Sequence, residues 1–250
     1  MTTAAPRPPR VAFVTIGQSP RTDVVPQMMA DLGLPAEVEE FGILDALSPD
    51  AIAALAPAAG EYRFASRLRD GTQAVMGKPV AEAMLARLMA SLDDGRFDAL
   101  VPLCTGTALP PMQTLVLEPQ QVVDHLTVAL AQGCKRLGIV LPLETQVSGF
   151  HLIQPVPCEL RVTHASPYTD SADSDTGRFA QAGAALRGCD LVVMHCMGYT
   201  EAMRATVARH AGAPVLLSNR MVARLLGQVL AGAAACWRAQ DQIRLRTHSG

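Results

Sequence analysis

Apolar runs of about six residues recur along the chain, each closed by a polar or glycine-rich turn and followed by an amphipathic stretch. That rhythm predicts strand, loop and helix in repetition, the pattern of an α/β protein with mostly parallel sheets. Arg10 to Ile16 reads as a first buried strand. GQSPRTD breaks it and opens a helix toward Met29, with Ser19 or Pro20 placed to start it. Glu37 to Leu44 is a second strand, and Ser48, Pro49 and Asp50 can cap a short helix to Ala59. Tyr62 to Met76 carries residues for a hairpin or an extra connection. Leu85, Leu88, Met89 and Leu92 fall at helical spacing within Pro79 to Asp93, an amphipathic helix that delivers the chain into Phe97 to Cys104. That run is almost continuously apolar, as a central parallel strand buried on both faces should be.

After two prolines, Gln120 to Gln132 forms another helix, and Arg136 to Leu143 (RLGIVLPL) echoes the opening run RVAFVTIG. A second half of the same kind starts there: Glu159 to Ala165 is a weaker strand, Thr176 to Leu186 a helix, Asp190 to Cys196 a strand and Ala213 to Leu217 a last strand. Ser218 and Asn219 are placed to cap the closing helix. The fold class is thus α/β, two pseudo-symmetric subdomains with mostly parallel sheets. The expected boundaries are a disordered tail 1–9, a first subdomain 10–132, a second 133–220, a closing helix 221–237 free to pack back on the first, and a polar tail 238–250.

The two halves rhyme most closely where FDALVPLC-TGT stands against CDLVVMHC-MGYT. Each has Asp at its second position, runs through apolar residues and ends in Cys, with Gly two positions on. In open parallel sheets the carboxyl ends of the strands face the ligand crevice, so Cys104 and Cys196 are both expected at that edge. A thiol there, beside backbone amides, can be held as thiolate. The same cysteine standing alone would read as a small core side chain. Two at equivalent places shift the reading toward function. Cys134, Cys158, Cys189 and Cys236 fall at junctions, in a proline-rich connection and in the last helix, and read as filler.

Composition narrows the class. The 250 residues are 49% hydrophobic, 18% charged and only 4% aromatic, so the core is filled by Ala, Val, Leu and Met. A net charge of −2 gives no basic stripe for a nucleic acid. No apolar stretch follows the basic start in the manner of a signal peptide, and Arg224 and Gln228 interrupt the most apolar late segment, so neither export nor membrane insertion is expected. Six scattered cysteines in such a chain are expected to be reduced, in the cytoplasm. No Cys/His group has metal-ligand spacing, and no phosphate-binding loop, dinucleotide fingerprint or zinc-protease motif occurs, so neither metal nor cofactor is expected.

Around the two thiols, Thr15, Gln18, Ser19 and Arg21 crowd the first strand-to-helix loop, where a helix N-terminus and a guanidinium could hold a carboxylate. The competing reading makes Ser19 a helix cap and Arg21 a solvated cation. Thr105, Gly106 and Thr107 after the first cysteine, and Met197, Gly198 and Tyr199 after the second, complete the candidate binding set. Asn219 is a cap or a ligand contact. His195 points away from Cys196 if the strand stays regular and reads as a packed side chain. Asp98 and Asp190 read as turn residues, and His125, His151, His164 and His210 show no partner.

VAFVTIGQSPRTDVVPQM, VPLCTGT, VVMHCMGY and PVLLSNRMVARL together resemble the AroM family, within the aspartate/glutamate/hydantoin racemase superfamily, over about residues 11 to 230. The resemblance implies two pseudo-symmetric α/β subdomains clamping a small carboxylate substrate. It also implies a cofactor-independent reaction in which two cysteines on opposite faces of an α-carbon act as thiolate base and thiol acid. Cys104 and Cys196 match those two by position. Thr105 stands where the superfamily has a polar residue, Met197 departs from the usual Thr, and the loop of Asn219 is used there for ligand contacts.

Three functions follow: a two-thiol racemase or epimerase, a single-cysteine isomerase or decarboxylase-type lyase, and a non-catalytic binding protein that keeps the cleft. Homo-oligomerisation stays open.

Overall fold

A computed structural model describes residues 7–172 and 175–247, the side chains of 233–247 excepted. The elements of the first half are β1 (Arg10–Thr15), α1 (Val25–Leu32), β2 (Glu37–Gly42), α2 (Pro49–Ala53), β3 (Arg63–Arg67), β4 (Gln73–Gly77), α3 (Lys78–Leu92), β5 (Ala99–Pro102) and β6 (Leu115–Val116). Then come α4 (Pro119–Ala131), β7 (Arg136–Leu141), a 3₁₀ turn at Glu144–Gln146, β8 (Glu159–His164), α5 (Arg178–Ala185), β9 (Leu191–Met194), α6 (Glu201–Ala211), β10 (Val215–Leu217) and α7 (Ser218–Thr247).

Two parallel four-stranded sheets result, ordered β2-β1-β5-β6 and β10-β9-β7-β8, with β3 and β4 forming a separate antiparallel hairpin. The continuous apolar runs form the inner strands because both of their faces are covered. On β1, Val11 and Phe13 enter a core shared with α1, α4 and α7, while Ala12 and Val14 pack on α3 and the hairpin. On β7, Leu137, Ile139 and Leu141 enter that same shared core, and Val140 faces α5 and α6. The middle layer of helices therefore lies between the sheets and joins the halves. The edge strand β2 is instead acidic, its Glu37 and Glu39 paired with Arg10 at 3.7 and 3.3 Å.

The sequence rhyme has a hydrogen-bonded counterpart. Asp98 accepts the Arg10 amide at 2.8 Å, and Asp190 accepts the Lys135 and Arg136 amides at 2.7 and 2.8 Å. One strand-length later, Leu103 and His195 donate their amides to Val14 and Val140 at 2.7 and 2.9 Å. Each aspartate so fixes the register of the strand that ends in cysteine against the first strand of its own half.

Several expectations change. Helix α1 starts at Val25, capped by no side chain, because the polar groups of GQSPRTD are committed to neighbouring loops. Ser218 and Asn219 do not cap α7: both side chains donate to carbonyls of the segment leaving β9. Of the expected tail 1–9, residues 1–6 lie outside the described residues, and Arg7 is held bidentately by Asp98 at 2.7 and 2.8 Å. The expected polar tail from 238 continues α7 to Thr247, and residues 248–250, like the side chains of Cys236 and Trp237, lie outside the description. Two elements, β6 and α6, fall outside the sequence reading. Helix α6 buries Thr206 and Ala211 beside Met203 and Val207, so its inner face has little apolar contrast.

Helix α7 crosses α1 closely enough that a β-carbon at Gly227 would sit 2.1 Å from the Leu32 carbonyl oxygen. Rigid backbone on the other side leaves no room to yield. Gly227→Ala is therefore expected to destabilise the protein by about 1–3 kcal/mol through overpacking, as read from the midpoint of urea unfolding.

Candidate functional site

Beyond β5 and β9 the chain turns into Cys104-Thr105-Gly106-Thr107 and Cys196-Met197-Gly198-Tyr199. Both cysteines line one cavity of about 530 Å³ between the lobes, with Thr105, Gly106 and Thr107. The size is that of a small-molecule site. Thr105 links the lobes by donating its hydroxyl to the His195 carbonyl at 3.3 Å.

The two sulfurs have unlike surroundings. Cys196 receives the Gly198 amide at 3.4 Å and has the Tyr168 hydroxyl 3.9 Å away. Burial raises its pKa, while that amide, that hydroxyl and the field of Arg21 pull it back. Cys104 donates to the Thr105 carbonyl at 3.3 Å and receives no hydrogen bond among the described residues. Burial pushes its pKa far up, with Cys196 and Glu82 adding to the rise and Lys78 and Arg21 opposing it. Burial also lifts Tyr168 well above the ordinary phenol range, so it remains a neutral donor. Gly198 is needed for this contact, because a β-carbon there would lie 2.4 Å from the Tyr168 hydroxyl.

The remaining expected binding residues stand behind the cavity wall. Arg21 is 1% exposed, and its Nε and Nη2 grip Asp23 at 2.9 and 2.8 Å. Nη1 donates to Thr15 at 3.2 Å, and the guanidinium lies 5.7 Å from the centre of the Tyr168 ring. The carboxylate that Arg21 holds is thus internal, and at 1% exposure the side chain is not a solvated cation. Gln18 accepts the Arg69 amide at 2.9 Å, and Ser19 binds Asp45 through amide and hydroxyl, both at 2.7 Å. These bonds fasten the first loop to the hairpin and to the turn after β2. Met197 and Tyr199 are buried, the Tyr199 hydroxyl donating to Ala165 at 2.9 Å, while Asn219 ties the carbonyls of Met197 and Tyr199 at 3.0 and 2.7 Å. Asn219 thus shapes the Cys196 loop from behind.

Several wall residues escape the sequence reading. Tyr62, Phe64 and Lys78 come from the hairpin and the start of α3, and Tyr168 from the loop after β8. The chain has only three tyrosines, and two of them line this cavity, a signal that composition alone could have offered. His195 and Asp124 also face it. The strand ends at Met194, before His195 and Cys196, and both residues line this one cavity, so the opposed facing expected of a regular strand does not arise; His195 Nε2 meets Asp124 Oδ1 at 2.7 Å, with both side chains buried. Asp124 Oδ2 further accepts from Gln120 and the Ile153 amide at 2.6 and 3.1 Å. Among the described residues no helix is long and apolar enough to cross a membrane.

Two parallel-sheet lobes with a cleft between them make an α/β fold of the glutamate racemase class. Three glutamate racemase structures share it: that of Thermus thermophilus in complex with β-chloro-D-alanine (14% identity, 90% of this chain and 81% of that one, TM-score 0.55), that of Bacillus anthracis (10%, 90% and 82%, 0.52) and that of Aquifex pyrophilus (10%, 88% and 83%, 0.52). At such identities the likeness is one of fold. The AroM protein family model matches residues 11–230, and the chain belongs to the AroM family. No curated protein matches it in sequence.

Tyr168→Phe removes a neutral donor from the Cys196 sulfur while leaving the Gly198 amide in place. A thiolate with fewer donors forms at higher pH, so the pH profile of Cys196 alkylation by iodoacetamide, followed by peptide mass spectrometry, should move upward. An unchanged profile would mean that the hydroxyl does not act on the sulfur.

Proposed function

We propose that the protein is a cofactor-independent racemase, epimerase or isomerase that moves a proton at the α-carbon of a small carboxylate-bearing substrate in the cleft. One observation carries the reading: two cysteines, at equivalent places in rhyming halves, line a single cavity and have unequal surroundings. Cys196, with its amide and hydroxyl donors, is the thiolate base, and Cys104 is the thiol acid. In one direction the Cys196 thiolate takes the α-proton and the bonding pair moves into the carboxyl group. Cys104 then delivers its proton to the opposite face and is left as thiolate. The reverse turnover restores the starting pair. Proton-transfer groups must lie within hydrogen-bond reach of one carbon, which a shared cavity favours. The likeness to glutamate racemases in fold supports the class of reaction by analogy. A cytoplasmic setting suits a site made of reduced thiols, and all cysteines among the described residues are free.

The asymmetry of the thiols also favours a second reading, a single-cysteine isomerase or decarboxylating lyase. There Cys196 alone attacks or donates, and the deeply buried Cys104 only shapes the pocket.

Solvent deuterium exchange, followed by NMR over amino acids, hydantoins and small dicarboxylates, separates these readings. On the two-thiol mechanism, Cys104→Ser and Cys196→Ser each abolish inversion, yet each retains α-exchange from one enantiomer. A one-thiol enzyme loses all turnover with Cys196→Ser and shifts mainly KM with Cys104→Ser. Full inversion in either single variant refutes the pair, and ligand binding without turnover in any form points to a binding protein.

A further inference from the structure

A cleft that takes a carboxylate needs a cation or a set of donors to hold it, and Arg21 is spoken for by Asp23. Among the described residues lining the cavity, Lys78 is the one lysine or arginine. It is the first residue of α3, a helix of 15 residues, and its backbone amide donates to the Tyr62 carbonyl at 2.8 Å, which seats the helix start against the hairpin. Its ammonium lies 5.7 and 5.9 Å from the centres of the Tyr62 and Phe64 rings, which line the same cavity.

Its one acidic partner among the described residues is weakly engaged. Glu82 stands 3.7 Å from the ammonium, and the same Glu82 oxygen accepts the Ala108 amide at 3.1 Å. That shared oxygen brings the ammonium to the loop that follows Cys104. Next to Ala108, Thr107 lines the cavity with a buried hydroxyl that has no hydrogen-bond partner among the described residues; the residue is 3% exposed. A buried hydroxyl left unmatched is costly unless a ligand completes it. A lysine at the cavity wall, an unmatched hydroxyl on the same lining and a thiol three residues before it in the chain thus belong to one cleft.

We propose that Lys78 is the carboxylate-recognition residue of this cleft. Its ammonium, with the Thr107 hydroxyl, binds the substrate carboxylate and stabilises the negative charge that builds on it as the α-proton leaves. A single ammonium, one neutral hydroxyl and two aromatic rings match a carboxylate on a small organic acid. A phosphate group would bring more charge than this wall neutralises. The inference rests on the proton-transfer reading only for the second of these roles. Stabilising developing charge from a fixed cation is worth more in such a partly dry site than in water.

Protection of Cys196 from iodoacetamide by malonate and succinate, set against their diamides, tests the binding role without requiring turnover. The native protein should be protected by the acids and not by the amides. Lys78→Met should weaken that protection about tenfold or more, the usual loss for a hydrogen bond to a charged group, and Lys78→Arg should restore most of it. Glu82→Gln removes the internal competitor and an adjacent negative charge, so it should tighten protection. Circular dichroism melts equal to those of the native protein exclude unfolding as the cause, and if Lys78→Met fails to fold, the Glu82→Gln and Lys78→Arg results decide. Equal protection by acids and amides, or acid protection that survives Lys78→Met, overturns the proposal. Lys78-dependent protection with no α-deuterium exchange keeps the carboxylate subsite and refutes the proton-transfer reading instead.

Discussion

A buried thiol cannot ionise unless something replaces the water it has lost, and the rest of the cleft is arranged around where that replacement is supplied. Cys196 has it: the Gly198 amide and the Tyr168 hydroxyl approach the sulfur, and Arg21 adds its field from behind Tyr168. Arg21 is itself kept charged in the interior because Asp23 and Thr15 fill its donors. Removing one partner of such a buried pair exposes the other to the full desolvation cost, so the loop is rigid for an electrostatic reason. Among the described residues, Cys104 receives no hydrogen bond, and only the fields of Lys78 and Arg21 oppose its burial. The asymmetry between two cysteines that sit alike in sequence is therefore a property of their neighbours, and it is what assigns them different parts on the proposed mechanism.

The hairpin of β3 and β4 gives the cleft its third wall and couples the lobes. Gln146 of the second half donates to the Arg63 carbonyl at 2.9 Å, and Ser166 donates to Gln73 at 2.9 Å. On the other side the Arg67 carbonyl accepts the Gln18 amide at 3.0 Å, and Arg69 donates to the Ser19 carbonyl at 2.8 Å. GQSPR therefore serves as an anchor for this wall. Its polar residues, which in isolation look like a ligand cradle, are the means by which an irregular insertion is fixed to a regular sheet.

The strands were legible because inner parallel strands must be apolar on both faces; Arg10–Thr15 and Arg136–Leu141 lie within the spans that the pattern predicts. Cys104 and Cys196 were legible because their position after such strands repeats. What escaped reading is long-range. Tyr62, Phe64 and Lys78 lie in or beside a segment with no periodicity, and Asp124 is one polar position on an amphipathic helix. Arg21 was recognised as unusual, but its partner Asp23 is two residues away, and nothing in the string QSPRTD distinguishes an internal salt bridge from an open one. Proximity in sequence shows that two groups can meet; burial decides whether a third can join them.

His195 and Asp124 carry that argument to the junction of the lobes. Asp124 belongs to the helix that leads out of the first half, and His195 to the strand end of the second, so their bond spans the cleft floor rather than closing within one lobe. Asp124 also accepts the Ile153 amide, and Thr105 binds the His195 carbonyl, so the backbone just before Cys196 is held from the opposite lobe. Motion of one lobe would have to break charge-assisted or buried hydrogen bonds, each more costly to leave unmade than it is favourable to form. The spacing of the two thiols is consequently set by direct bonds between the lobes as well as by the packing of the middle helices. A reaction that asks two sulfurs to address one carbon requires a spacing fixed in that way.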